Sequence, residues 1–391
     1  MSPIRYNFND QLVTGYYESN LANENLGWET TDQFNAGLDL GLFNSKINIT
    51  IDAYHKSTYD LLQNVLLPAS NGFASRVDNF GEVENKGIEF AVNALALKTK
   101  DFDWNVSGNF SINRNKLVRL NSNLQFQLGP SIGFSEAYPI MFMEGKALGV
   151  FWGAQTDGIY QDWNEAISSG IAGAAPGEIK YRNNHIDLDA NGQPLAIQNI
   201  NFQDYVQIGD PNPDFNVAIT NDFHVKNWDF SFLFTAQKGG DIFWVDTWGL
   251  ASNSKTTNGL QSAFDEAWKA PLTVNPTTNQ VTYDPAVGNT ANAAYPAPST
   301  NFGTRSLASD MQVFDGSFIR LKNINVGYTF NFGNNKSLRI YSTAQNVVTW
   351  TKYPGYDPEV QSFNKDPQRR GVDFGGYPGT RTYTLGLKFN Y

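Results

Sequence analysis

The sequence predicts an all-β protein whose strands assemble as an antiparallel transmembrane β-barrel with long extracellular loops. Three observations predict it. Long runs alternate apolar and polar side chains, the connections between them alternate between short and long, and the composition suits a membrane wall. Charged residues make up 17% of the 391, against roughly 25% in an ordinary soluble protein, and aromatics reach 14%. No window approaches the roughly 20 apolar residues of a spanning helix, so a chain of this kind crosses a membrane only as a closed set of strands.

Period-two alternation marks twelve candidate strands. Arg5 to Tyr17 opens the series, followed by a connection from Glu18 to Glu29. Thr30 to Leu42 and Lys46 to Ser57 flank a tight turn at Phe43 to Ser45, and Thr58 to Glu82 is the first long excursion. Val83 to Leu97 and Asp101 to Asn113 flank Lys98 to Lys100. In the second of these, Phe102, Trp104, Val106, Phe110 and Ile112 alternate with Asp103, Asn105, Ser107, Asn109 and Ser111. After the excursion from Arg114 to Gly133 come Phe134 to Met143 and Ala147 to Asp157, separated by Glu144 to Lys146. Gly158 to Asn212 is long again. Pro213 to Phe223 and Asn227 to Gln237 meet at His224 to Lys226, and Lys238 to Asp315 is the longest connection. Leu260 to Lys269 within it reads as a short helix, with Phe264, Ala267 and Trp268 on one face. Gly316 to Asn331 and Ser337 to Thr349 flank Phe332 to Lys336, and Trp350 to Pro378 leads to Gly379 to Tyr391. That last strand sets Tyr383, Leu385, Leu387, Phe389 and Tyr391 against Thr382, Thr384, Gly386, Lys388 and Asn390.

Most of these strands exceed the roughly five to six residues of a soluble strand and reach the roughly nine to eleven that a tilted membrane strand needs. Short turns on one side and long loops on the other match outer-membrane topology, which places the C-terminus on the periplasmic side. Each strand taken singly also suits a soluble sheet with one buried face.

Cysteine is absent, which excludes disulfides and thiolate zinc or iron-sulfur centres. A net charge of -10 argues against nucleic acid as a partner. The opening residues MSPIRYNFND lack the basic and apolar regions of a signal peptide. The expectation is therefore a C-terminal piece of a longer protein.

Asp187, Asp189, Asn191 and Gly192 repeat the D-x-D-x-N-G spacing of calcium loops, where alternate oxygens wrap the ion. Gln198 stands where a bidentate Glu is needed, which excludes an EF-hand; an Asx-rich turn and a calcium site completed by Asp204 or Asp210 are the two readings. His55, His185 and His224 form no HExxH, and GxSxG is absent, so no enzymatic chemistry is expected. Among the loop aromatics Trp163, Phe243, Trp244, Trp248 and Trp268, the candidates for stacking on substrate are Trp163, Trp244 and Trp248.

Several words of the sequence carry a resemblance. NLGWETTDQFNAGLDLGLFNSKINITIDAYHKSTYDLL from Asn25 and NFGEVENKGIEF from Asn79 resemble the SusC/RagA family of TonB-linked outer-membrane transporters. EGKALGVFWGAQTDGIYQ from Glu144, GEIKYRN from Gly177, IGDPNPDF from Ile208 and DGSFIRLKNINVGYTF from Asp315 agree in the same order. So do LRIYSTAQNVVTWTKYPGYDPEV from Leu338 and GYPGTRTYTLGLKFNY from Gly376. The resemblance implies that residues 1–391 are the C-terminal part of a barrel of about 22 strands, without plug, TonB box or signal peptide. It further implies import of oligosaccharide or peptide, a SusD-like surface lipoprotein as lid, and TonB acting through the missing N-terminal region. Lys238 to Asp315 is then the expected lipoprotein contact. The loop after GEIKY departs from the family's acidic, glycine-rich pattern. The competing reading, from residues alone, is a secreted β-rich carbohydrate-binding module or glycoside hydrolase with short strands and a two-sheet core.

Overall fold

At Phe43, Asn44 and Ser45 the backbone takes φ of 55°, 60° and 61°, a left-handed run that reverses the chain in one tight turn. Lys226 (φ 55°) and the Gly333 and Asn335 pair (76° and 61°) do the same further on. These reversals join the strands of one antiparallel sheet. The computed structural model describes residues 2–8, 10–18, 21–67, 69–73, 75–79, 81–120, 126–132, 138–251, 258–284, 287–288, 293–298, 307–333, 335–360, 362–363 and 366–391.

Nine strands form the sheet in strict sequence order: β1 Thr30–Leu42, β2 Ile47–Tyr59, β3 Gly81–Lys98, β4 Phe102–Leu120, β5 Pro213–Val225, β6 Trp228–Gly239, β7 Phe318–Gly333, β8 Lys336–Thr351 and β9 Thr382–Asn390. Every pairing is antiparallel, so all short turns fall at one end and all long connections at the other. The sheet is open among the described residues, with β1 and β9 as its edges.

Register carries the alternation from strand to strand. One row runs Leu38, Ile51, Phe90, Phe110, Val217, Ala236, Ile319, Trp350. A second runs Trp104, Phe223, Phe230, Val326, Ser342, Leu385. The opposite face runs Asn48, Asn93, Ser107, Thr220, Leu233, Asn323, Gln345, Thr382. One face is thus an apolar belt and the other a polar lining. Leu385 is 78% exposed and Phe34 70%, which water would penalise and hydrocarbon rewards. From the Ile319 row to the Tyr328 row a strand climbs roughly 30 Å, which a tilt of about 40° reduces to roughly 23 Å, close to the ~25 Å apolar band of such barrels.

Aromatics gather at the short-turn end of the belt. Trp104 stacks on Phe223 at 5.6 Å, and Tyr328 meets Trp228 at 4.8 Å and Phe330 at 4.7 Å. Such rings suit a membrane interface. Asn221, a polar residue on the belt face, accepts a hydrogen bond from Trp104 Nε1 at 3.1 Å, which satisfies its amide oxygen where water is absent.

Three expected strands are not part of the wall. Arg5 to Tyr17 is a separate hairpin, Ser2–Phe8 against Gln11–Tyr17, because Asp10 (φ 60°) turns the chain. Phe134 to Met143 reduces to Met141–Met143 against Phe126–Leu128, with residues 134–137 outside the described set. Ala147 to Asp157 becomes Phe151–Gly153 and Thr156–Ile159, paired within the loops rather than the sheet. The soluble alternative also fails on geometry, since the sheet strands run from 9 to 19 residues in one sheet with an exposed apolar face.

At the long-loop end a true core forms. Val83 and Leu117 from the wall pack with Ile140, Phe151, Phe243, Trp248, Ala308 and Val372 from the connections.

Candidate functional site

The loops are knitted by a small three-stranded sheet. Ile242–Trp244 pairs antiparallel with Val313–Phe314 and parallel with Val372–Asp373, so the two ends of the 240–317 connection are tied to each other and its start to the 352–381 connection. Apolar burial drives this. Ile242, Phe243, Trp244 and Val245 in unbroken succession are all under 7% exposed, the mark of a segment covered on both sides. Tyr353 O–H donates to Asp373, whose Oδ1 accepts from Gly376 N at 3.2 Å and Ser362 Oγ at 3.3 Å. Burial, then that bond and the carboxylates of Asp373 and Asp246, hold the Tyr353 phenol far above its ordinary value, so it stays a donor.

Carboxylates recur at this mouth. Asp241 accepts from Asp210 N at 2.8 Å, joining two connections. Burial pushes Asp241 above the usual range; the Asp210 amide opposes this, and nearby Asp210, Asp315 and Asp214 reinforce it. Asp246 is raised mainly by burial.

On the polar face just inside the mouth, Arg320 of β7 is 4% exposed and pairs with Asp357 and with Glu359 at 2.7 Å. Its guanidinium lies 5.3 Å from the Phe318 ring. At the opposite end of the same face Arg339 Nε donates to Asp229 Oδ1 at 2.9 Å across β7. Gly327 of β7 makes that reach possible, since a Cβ there would stand 2.6 Å from both Arg339 Nη2 and Asp229 Oδ1. Two cavities open between the polar face and the 358–379 segment. One is lined by Asn113, Asn216, Gln237, Asp241, Glu359 and Arg369, the other by Arg320, Lys322, Asn346, Asp357, Glu359 and Tyr377.

The predicted stacking residues do not come together. Trp244 is 6% exposed between Phe314 and Tyr353 at 5.9 and 5.7 Å. Trp248 is 2% exposed, edge-on to Phe243 at 5.4 Å, with Nε1 donating to Leu307 O at 3.2 Å. Their faces are spent on packing, which corrects their assignment as substrate platforms. Trp163 does stand free, 61% exposed at the start of helix Trp163–Ser168, which Asp162 caps through Glu165 N at 2.9 Å. The short helix expected at Leu260 to Lys269 is Gln261–Asp265, with Phe264 outward and Ala267 buried rather than on a shared face.

The D-x-D-x-N-G loop is an Asx turn. Asp189 Oδ1 accepts from Asn191 N and Gln193 N, both at 2.8 Å, and these amides, Gln193 first, hold its carboxyl below the usual range. Asp187 Oδ2 accepts from Asn199 N at 2.9 Å, and buried Asp204 accepts from the amides of Asn184 and His185. Asp187 and Asp189 are thus engaged by backbone amides on either side of Asn191, and no group of three or more His, Cys, Asp or Glu able to hold a metal occurs among the described residues.

Sequence reasoning missed Arg320, Asn346 and Tyr377. The signal was present in RLKN, where Lys322 and Asn323 break the alternation as a bulge does.

Comparison with known proteins bears on this architecture. Residues 2–175 match the family described as TonB dependent receptor-like, beta-barrel. TonB-dependent receptor P3 of Formosa agariphila is 34% identical over 98% of this chain and 36% of its own length. TonB-dependent receptor SusC of Bacteroides thetaiotaomicron is 29% identical over 94% of this chain and 32% of its own. The chain thus spans about a third of these relatives. The structure of the RagAB peptide transporter superposes with a TM-score of 0.73 at 20% identity, covering 99% of this chain and 38% of that one, a likeness of fold. A single antiparallel wall with an apolar belt, long connections at one end, and these relatives lead to one assignment: the chain is a stretch of TonB-dependent receptor β-barrel, an outer-membrane wall.

Proposed function

We propose that residues 1–391 form the C-terminal part of the barrel of a TonB-dependent nutrient importer that takes up oligosaccharide or peptide. The observation that carries this is the pairing of a continuous apolar belt with a polar lining that opens, at one end only, into structured loops. Such a wall holds a solute path and performs no bond chemistry; energy would come through TonB acting on a part of the protein outside this chain. A SusD-like surface lipoprotein is the proposed partner. Within the 238–315 connection its contact is the hairpin Leu272–Val274 and Val281–Tyr283, where Leu272, Val274, Val281 and Tyr283 are 47 to 72% exposed while both ends of the connection are buried. Of the three tryptophans Trp163, Trp244 and Trp248, Trp163 is the one whose ring is exposed to a ligand at the surface.

Deleting the gene in its host and measuring uptake of defined oligosaccharides and peptides tests the reading. Loss of uptake of one class is expected; unchanged uptake of every compound defeats it. Affinity purification of the intact gene product should bring down a surface lipoprotein, and removal of residues 272–283 should release it. Residues 1–391 alone, with both sheet edges unpaired in lipid, should admit no solute in a liposome-swelling assay.

A further inference from the structure

The second cavity at the mouth is built on a fault in the wall. Between β7 and β8 the ladder passes from Leu321 opposite Val348 to Asn323 opposite Gln345, so Lys322 faces two residues, Asn346 and Val347. Asn346 sits at this irregularity with φ 52°, a left-handed backbone in the middle of a strand, which asparagine accepts and most residues resist. Bulges of this sort re-aim a side chain and concentrate beside working sites. Asn346 Nδ2 donates to Thr380 O at 2.9 Å, while its amide oxygen has no partner among the described residues.

Across the cavity stands Tyr377, 89% exposed. The segment that bears it is pinned on both sides, by Gly376 N donating to Asp373 Oδ1 and by the Asn346 bond to Thr380 O. A large aromatic ring is thus held out on a fixed stretch of backbone, with Lys322 and Asn346 lining the same space.

The charges of the cavity are mostly spoken for. Asp357 and Glu359 both pair with Arg320, and Asp357 Oδ1 also accepts from Glu359 N at 2.9 Å. Asp373 accepts from Tyr353, Ser362 and Gly376. Beside the second oxygens of Asp357 and Glu359, an aromatic face, an amide oxygen and the Lys322 amine, which has no ion pair among the described residues, stand ready to meet a ligand. That set accepts and donates to hydroxyls and stacks on a ring of C–H bonds.

We propose that this cavity is a saccharide-binding subsite, in which Tyr377 offers its ring face to a sugar while Asn346 and Lys322 hydrogen-bond the sugar's hydroxyls. The inference rests on the importer reading and narrows its substrate class.

The test uses the intact gene product in detergent, titrated calorimetrically with neutral, uronate and sulfated oligosaccharides and with a mixed hexapeptide pool. At least one saccharide should bind. Tyr377→Ala should weaken it about tenfold and Tyr377→Phe less than about twofold, since stacking needs the ring and not the hydroxyl. Asn346→Gly keeps the left-handed backbone and removes the amide together with its bond to Thr380 O, and should weaken binding, whereas Tyr377→Ala leaves that bond in place. Saccharide binding that ignores both Tyr377→Ala and Asn346→Gly overturns the proposal, as does binding of the peptide pool alone or of nothing. Uptake by cells lacking the gene separates the two failures: if peptide uptake falls, the importer reading survives and the subsite does not.

Discussion

The wall and the loop core of this protein are held together in opposite ways. In the wall every strand pairs with the strand next to it in sequence, the ladder is local, and the large apolar side chains point outward to a solvent that is itself apolar. In the loop core the apolar side chains point inward, and the residues that meet, Val83, Ile140, Phe243, Ala308 and Val372 among them, are drawn from the whole chain. The first is stabilised by backbone bonds that lipid makes obligatory, the second by removal of apolar area from water. Substitutions should therefore damage one region without the other.

The largest separation is expected from Trp248→Ala. Loss of a fully buried indole should cost the loop core about 3–5 kcal/mol, seen as new protease cleavage in the long connections while the heat-modifiable band of the folded barrel persists on a gel. Loss of the barrel band in the same variant would show that the two regions unfold as one. Next comes Phe232→Arg, in the middle of the belt, which should cost about 2–4 kcal/mol of urea stability in lipid vesicles. Ser231→Arg, one residue away on the polar face, should cost far less, and equal costs would mean that the faces are assigned the wrong way round.

A smaller effect is expected from acidity. Burial raises Asp246 above its unfolded value, so the folded loop core binds this proton more tightly than the unfolded chain does. Its contribution is favourable at low pH and is lost as pH rises from about 4, the ordinary Asp value, through the raised folded value. Protease resistance of the loops should accordingly rise modestly as pH is lowered from neutrality, and Asp246→Asn should flatten that trend. A trend of the opposite sign in wild type would remove Asp246 from the account. Least of all is expected from Asp189→Ala, in an exposed turn, and from added calcium, since its carboxylate is already engaged by two amides. A calcium-dependent rise in thermal midpoint would restore the metal reading of that loop.

The same contrast explains what could be read in advance. Thr30 to Leu42 was legible to the residue, because alternation is a local property and the lipid face enforces it along the whole strand. Asp101 to Asn113 was recognised but falls short of β4, which runs on to Leu120, since Leu117 and Leu120 have left the belt and serve the loop core. Ala147 to Asp157 misled for the converse reason. Phe151, Trp152 and Gly153 are buried on both sides, a property that depends on distant partners such as Phe243. Trp244 and Trp248 are conspicuous as loop tryptophans and are packing residues, whereas Tyr377, in a Gly-Tyr-Pro-Gly word, keeps its ring bare. Whether an aromatic faces a core or a solute is set by tertiary neighbours, which single-sequence reasoning does not supply.

The parallel pairing of Phe243 with Val372 has a consequence for how such proteins diversify. A connection that folded alone could be traded between homologues singly, as a cassette. Here the 240–317 and 352–381 connections share hydrogen bonds, a buried acid and an aromatic cluster, so a graft of either one would arrive without its complement. The heritable unit of variation at this surface is the interlocked pair, and recombination that respects it is the kind that yields working chimeras.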